Sequence, residues 1–352
     1  SSNNENCLYA YWLQRCTDCV DSSFSVSTTL SYESDDCYDS YQLRYSKGCH
    51  DCRDGAFLLN CRNTSDSVGC VNLRSAQYCI LNKKYTKKEY EETLQSLRLD
   101  TASGVETFRK KFAEFLATQP TRFVEITNAP GSTGNYIKNA KNCTACFHAY
   151  DSEDCAYSVH VWEGAKDCVD CDTTGKTSSM MYNCINAGNA ANQIGCAMCW
   201  ESQFMEYSYY CLNSQNCFGS AGLRKKQYCI LNKQYAKEEY EALREMIVAK
   251  MREEGTYGNF FLSYMSTFGY NESAAQDQFP LTKEGALAKG FKWEDHPRGT
   301  FGKETIAWKD VPDSIDDIGG LDVPKQIFVC TKCEKNYRII PAEFDFYKRM
   351  HI

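Results

Sequence analysis

Leu73-Arg74-Ser75-Ala76-Gln77-Tyr78-Cys79-Ile80-Leu81-Asn82-Lys83 returns 150 residues later as Leu223-Arg224-Lys225-Lys226-Gln227-Tyr228-Cys229-Ile230-Leu231-Asn232-Lys233. Downstream, Tyr85, Lys87, Glu89, Tyr90 and Glu91 return as Tyr235, Lys237, Glu239, Tyr240 and Glu241, and upstream Cys49 and Cys61 return as Cys199 and Cys211. Cys16 and Cys19 find Cys168 and Cys171 at an offset of 152. A match that extends this far on both sides is the duplication of a whole domain.

Within each copy the cysteines are regularly spaced. Differences of 18 separate Cys19 from Cys37, Cys52 from Cys70, Cys61 from Cys79, Cys199 from Cys217 and Cys211 from Cys229, and steps of 9 join positions 52, 61, 70 and 79. Short β-prone pieces such as Phe57-Leu58-Leu59 and Tyr207-Ser208-Tyr209-Tyr210 lie among Asn, Asp, Ser and Gly, with only 7 Pro in the chain. The pattern predicts a mainly β fold, a duplicated parallel β-solenoid with coils near 18 residues. Successive coils stacked at about 4.8 Å would turn the Cys repeat into interior sulfur ladders. The plainer alternative is that Cys fills a narrow core as a small hydrophobe.

The solenoid halves are expected over residues 1–82 and 135–232, with a helical cap and connector at 83–134 and a capping helix at 233–254. Thr86-Lys87-Lys88-Glu89 is a capping box, and Tyr90, Leu94 and Leu97 follow at helical spacing. A second helix is predicted over 103–118, with Val105, Phe108, Phe112 and Phe115 on one face, and the second copy repeats the cap at 236–254 with Tyr240, Leu243, Ile247 and Met251. Such helices would cover the exposed last coil. Residues 255–325 form an aromatic-rich, Cys-free extension with one short helical signal from Thr282 to Lys289, and 326–352 form a truncated zinc-ribbon-like segment.

Composition excludes several functions. The 22 Cys in 352 residues are about 6 %, below the 8–10 % of small disulfide scaffolds, and a chain of this length can bury a core without covalent staples. The balance of 46 Asp+Glu against 39 Lys+Arg argues against phosphate-backbone binding. No run approaches 18 apolar residues, so no membrane helix is expected, and Ser1-Ser2-Asn3-Asn4 opens without a secretory pattern.

Six Cys-x-x-Cys pairs are present. Five, Cys16/Cys19, Cys49/Cys52, Cys143/Cys146, Cys168/Cys171 and Cys196/Cys199, lie in the duplicated region. Their gaps of 29, 21 and 24 residues exceed the 15–20 that would bring two pairs into one four-thiolate zinc site. They are second-rank ligands for zinc or an iron–sulfur cluster, with disulfide pairing as a further alternative. The sixth pair, Cys330/Cys333, follows Ile327-Phe328-Val329 and precedes Tyr337-Arg338-Ile339-Ile340, as in the first half of a zinc ribbon. With no second pair before Ile352, it offers an incomplete zinc site of two thiolates that His351 could join. His50 and His148 adjoin Cys pairs and could enter a metal site or activate a thiolate. No phosphate loop, dinucleotide fingerprint or nucleophile elbow nominates a catalytic or cofactor-binding residue.

Gln-Tyr-Cys-Ile-Leu-Asn-Lys-Gln-Tyr followed by Lys-Glu-Glu-Tyr (227–240), Phe279-Pro280-Leu281-Thr282-Lys283-Glu284 and the Cys330 to Met350 segment resemble an uncharacterised cysteine- and tyrosine-rich repeat family of candidate phyla radiation bacteria. Members of that family carry terminal zinc-ribbon modules and continue past the Tyr347-like position to a second Cys-x-x-Cys, so this sequence looks like a fragment beside them. The resemblance implies a bacterial, cytoplasmic protein and supplies no activity. Taken together, the sequence points to a non-enzymatic binding or assembly scaffold with a zinc-ribbon-like docking element, a protein partner or self-assembly, and no membrane. Metal or redox handling by the Cys pairs and nucleic-acid association through zinc ribbons are the alternatives.

Overall fold

The computed structural model describes residues 12–13, 24–25, 29–34, 37–296 and 298–352. They are mainly β, arranged in parallel sheets with some helices. The chain divides into two compact units, Ser1–Pro120 with Arg298–Ile352, and Thr121–Pro297.

In the first unit, strands Thr29–Tyr32, Tyr41–Arg44, Arg53–Ala56, Ser65–Val68 and Gln77–Ile80 pair in parallel, each with the next. Tyr41 faces Arg53, which faces Ser65, which faces Gln77. Bridges outside the strands keep the same separation, as in Tyr38–His50–Arg62–Arg74 and Lys47–Leu59–Val71. One rung of the ladder is therefore 12 residues long, the step over which Cys52 N donates to Ser40 Oγ and Leu58 N to Ser46 Oγ. The longer coil predicted from the 18-residue cysteine spacing is corrected.

The reason lies in which residues point inward. Cys37, Ser40, Leu43, Ser46, Cys49, Cys52, Leu58, Cys61, Thr64, Ser67 and Cys70 are all buried, at every third position, with Gly55 filling the remaining step. Each rung thus contributes four inward positions. Spacings of 9 and 18 are multiples of this triplet but not of the rung, so cysteines 18 apart sit one and a half rungs from each other. The bend between inward residues is made at positive φ: Asp51, Asp54, Asn60, Asn63 and Asp66 lie between 43° and 53°, where Asn and Asp are the least penalised side chains.

The second unit repeats the ladder, as in Met181–Gln193–Met205–Cys217–Cys229. Two of its rungs carry one extra residue, between Val159 and its partner Asp172 and between Asp172 and its partner Ile185. The inward step lengthens from three to four between buried Val161 and Ala165, and again between Thr174 and Ser178.

Both ladders end alike. Gln77–Ile80 turns back antiparallel onto Lys83–Lys84, and Gln227–Ile230 onto Lys233–Gln234, lysine-bearing edges that discourage further pairing. Helix α1 (Lys87–Ser96) starts at Thr86, whose side chain and Glu89 form the capping box, and it buries Tyr90 near Tyr78. Helix α2 (Ala102–Leu116) sets Phe108 and Phe112 against Phe57, with ring centroids 5.2 and 5.7 Å apart. In the second unit α3 (Lys237–Glu253) packs Tyr240 and Val248 with Phe218 and Ile230. Short helices α4 (Ala274–Gln278) and α5 (Lys283–Ala288, N-capped by Thr282) follow. Helix α6 (Pro341–Met350) belongs to the first unit and buries Phe346 and Met350 beside Tyr32. Among the described residues no helix is long and apolar enough to cross a membrane.

Candidate functional site: cysteine columns and a terminal hairpin

The register stacks cysteines of successive rungs into columns. Cys37, Cys49 and Cys61 stand one above another, as do Cys143, Cys155 and Cys168, then Cys171, Cys184 and Cys196. Cys217 lies over Cys229. In the pairs Cys49/Cys52, Cys143/Cys146, Cys168/Cys171 and Cys196/Cys199 both members are inward and buried, on adjacent columns of the ladder. Cys16 and Cys19 lie outside the described residues.

The ladder cysteines from Cys49 to Cys229 are free thiols. Stacking accounts for this: in-register side chains on parallel strands keep the strand spacing of about 4.8 Å, beyond the Cβ separation of about 3.5–4.5 Å that a disulfide requires. Each ladder thiol instead donates to a backbone carbonyl. Cys61 Sγ reaches Leu59 O at 3.5 Å and Cys70 O at 3.4 Å, and Ser202 Oγ makes the same two bonds, to Trp200 O at 2.9 Å and Cys211 O at 3.1 Å. Cys and Ser therefore do the same structural work at inward positions. Two polar defects interrupt the second ladder among the described residues: Thr174 Oγ1 has no partner, and Gln193 donates to the carbonyls of Cys199 and Ser202 while its Oε1 has none.

Contacts between neighbouring thiols divide their proton affinity. Cys184 is lowered because Cys171 and Cys196 can both donate to it, whereas Cys171 and Cys196 are raised by that contact and by burial. Burial pushes Cys70 and Cys217 up to about 12. No Lys, Arg or His is among the buried side chains of the described residues. A thiolate inside the ladder would therefore find no buried cationic side chain among the described residues as its counter-charge.

The histidines beside the Cys pairs do not join them. His50 stacks on Tyr38 (4.7 Å, 11°) and His148 on Tyr136 (4.7 Å, 11°), with His160 stacked on His148 at 5.3 Å. Each follows an inward cysteine or serine by one or two residues, which places it on the outer side of the bend. Among the described residues no group of three or more His, Cys, Asp and Glu side chains is placed to hold a metal ion.

Cys330 and Cys333 occupy the turn of an antiparallel hairpin, Phe328–Val329 with Asn336–Tyr337. Cys330 N donates to Lys335 O, Glu334 N donates to Cys330 O, and Glu334 bends at φ 59°. The backbone N–H groups of Cys333 and Lys332 point at the Cys330 sulfur and lower its pKa. The turn is thus shaped to favour a thiolate, but it presents two sulfurs only. His351, the third candidate ligand, bonds Asp316 through Nδ1 at 3.2 Å. Zinc at this hairpin would need donors that the described residues do not bring there.

Two features escaped the sequence. Along one outer side of the second ladder, Phe147, Val159, Asp172, Ile185, Ala197 and Tyr209 face one another in register, and Phe147, Ile185 and Tyr209 are 47, 40 and 51 % exposed. A groove of about 940 Å³ runs between the ladder and α3, lined by Met180, Tyr182, Ile194, Phe204, Tyr240 and Arg244. At its wall buried Glu206 accepts from Arg244 Nη2 at 2.8 Å and from the Tyr257 hydroxyl. The signal for the first emerges only when the chain is aligned at the true rung length.

No family model and no curated protein matches the chain. Among solved structures, one assigned as an acetyltransferase from Desulfovibrio desulfuricans G20 is 11 % identical over 72 % of this chain and 72 % of its own, with a TM-score of 0.13. A score that low carries no argument about fold or function.

Proposed function

We propose that the chain is a β-solenoid, one coil per rung, that serves as a non-enzymatic binding or assembly scaffold for protein partners. The observation that carries this reading is the outer column Phe147–Val159–Asp172–Ile185–Ala197–Tyr209, apolar at five of its six positions. A flat, regular strip of exposed aromatic and aliphatic side chains is the surface composition of protein interfaces rather than of a solvated face. The interchangeable bonding of Cys and Ser supports an architectural role for the interior thiols over metal or redox handling. The Cys330/Cys333 hairpin is the candidate docking element, a half zinc ribbon whose remaining donors would come from outside it.

Elemental analysis of the full chain, isolated without chelator, tests the reading against its metal-handling alternative. Any zinc should amount to no more than one per chain and should vanish in Cys330→Ser/Cys333→Ser. Iron, copper or zinc at two or more per chain that survives this double substitution would overturn the scaffold reading.

A further inference from the structure

The duplication provides an internal reference for what covers each ladder. In the first unit Gly69 has φ +65°, and a Cβ there would come within 2.7 Å of Phe108 Cζ and 2.8 Å of Leu81 Cδ2. The aromatic knob of α2 therefore rests directly on this glycine. Phe108 is 2 % exposed, and Val71, two residues beyond Gly69, is buried as well.

The second unit keeps the socket without the knob. At the offset of 150, Gly219 (φ +58°) replaces Gly69, Leu231 replaces Leu81, and Phe218 and Ile230 replace Val68 and Ile80. Among the described residues, a Cβ on Gly219 would meet only Leu231, at 3.1 Å. Leu231 is 75 % exposed, and Ala221, the counterpart of Val71, is exposed too. The chain beyond α3 covers a different part of the same corner. Gly258 N donates to the Tyr207 hydroxyl, and a Cβ on Gly195 would meet Asn259 O at 3.6 Å. Those rungs precede Gly219.

We propose that the Gly219–Leu231 socket docks an amphipathic helix of a protein partner, which inserts a phenylalanine-sized ring as α2 inserts Phe108 in the first unit. The proposal rests on the scaffold reading and names its partner class. A helix is the occupant because the sister socket holds one, with successive knobs four residues apart at Phe108 and Phe112. The rim supplies a charge preference. Arg224, Lys225 and Lys226, exposed on the same rung, stand where the first unit has Arg74, Ser75 and Ala76, so acidic residues beside the aromatic would favour the encounter.

The probe is a fluorescent peptide of residues 98–120, the chain's own α2, titrated by anisotropy into the full chain. One peptide should bind per chain. Affinity should fall roughly tenfold or more with Leu231→Asp or Ala221→Glu in the protein, or with Phe108→Ala in the peptide. Both protein positions are exposed, so far-UV circular dichroism should be unchanged. Carrying Lys110→Glu and Lys111→Glu in the peptide should tighten binding at low salt. No binding up to about 1 mM peptide, or binding indifferent to both Leu231→Asp and Ala221→Glu, overturns the socket. Neither result alters the metal content that tests the scaffold reading.

Discussion

Gly69→Ala and Gly219→Ala are the same substitution at equivalent points of the two ladders, yet their surroundings predict different costs. Both residues sit at positive φ, +65° and +58°, so a Cβ brings a conformational penalty of about 1–2 kcal/mol at each. At Gly69 the new carbon also lies 2.7 Å from Phe108 Cζ and 2.8 Å from Leu81 Cδ2, too close for either to stay in place. Phe108 is held between Phe57 and the ladder and has little room to yield, so overpacking adds about 1–3 kcal/mol. At Gly219, among the described residues, the new carbon meets only exposed Leu231, which can swing away. The expected losses are about 2–5 kcal/mol for Gly69→Ala and about 1–2 kcal/mol for Gly219→Ala. Native-state hydrogen exchange by mass spectrometry reads this locally. Amides of α2 should exchange about tenfold or more faster in Gly69→Ala, since about 1.4 kcal/mol is a factor of ten, while those of α3 barely respond to Gly219→Ala. Equal effects at the two sites, or unchanged α2 protection, would refute the assigned packing of Phe108.

Three further outcomes follow from the interior and the α3 clasp. Cys61→Ser should cost about 1 kcal/mol or less in thermal or urea unfolding, because Ser202 already makes the paired carbonyl bonds that Cys61 makes. Arg244→Ala should destabilise the second unit by about 2–4 kcal/mol, somewhat below a fully buried pair because Arg244 is 39 % exposed, while buried Glu206 keeps only the Tyr257 hydroxyl and loses its counter-charge. The double change Glu206→Ala/Arg244→Leu, which installs the first unit's Ala56 and Leu94, should recover most of that loss. Finally, Cys70 and Cys217 are pushed up to about 12 by burial, whereas unfolded thiols ionise near pH 8.5. The native chain then holds protons that the unfolded chain releases, so the contribution is complete below about pH 8.5 and falls progressively toward pH 12. Melting temperature measured from pH 7 to 11 should decline only above pH 8.5, and a flat profile would contradict thiol burial.

The duplication, the capping box at Thr86 and the apolar stripe of α2 were legible because each rests on local pattern: near-identical text at one offset, or side chains at helical spacing. The rung length was not. Cysteine occupies only some of the inward positions, and Ser40, Leu43, Thr64 and Ser67 share the rest, so the cysteine spacings sample the triplet at 9 and 18 and miss the rung itself. The bends are equally silent, since the positive-φ positions carry Phe57, Tyr78 and His148 as well as Asn and Asp. Placing His50 beside Cys49 in sequence suggested a shared site; a three-residue inward step turns them to opposite sides of the backbone. The unfilled socket at Gly219 could be seen only by comparing the covering of the two ladders, which no sequence identity between them reveals.

The central claim is that one rung of parallel ladder spans 12 residues, as from Ser40 to Cys52 or from Ser202 to Ser214. Scalar couplings across hydrogen bonds, measured by NMR on deuterated protein, report this directly, because each backbone-bonded ladder amide should couple to the carbonyl of the residue just before its in-register partner, on the next rung or, as for Asp51 to Tyr38, on the preceding one. The pairs to look for are Tyr41 to Cys52, Arg53 to Thr64, Gln203 to Ser214 and Gln215 to Lys226, at 2.8, 3.0, 3.1 and 2.9 Å. Couplings at that separation in both units are the predicted result. Couplings at a separation set by an 18-residue coil, or an antiparallel pattern along these strands, would contradict the account.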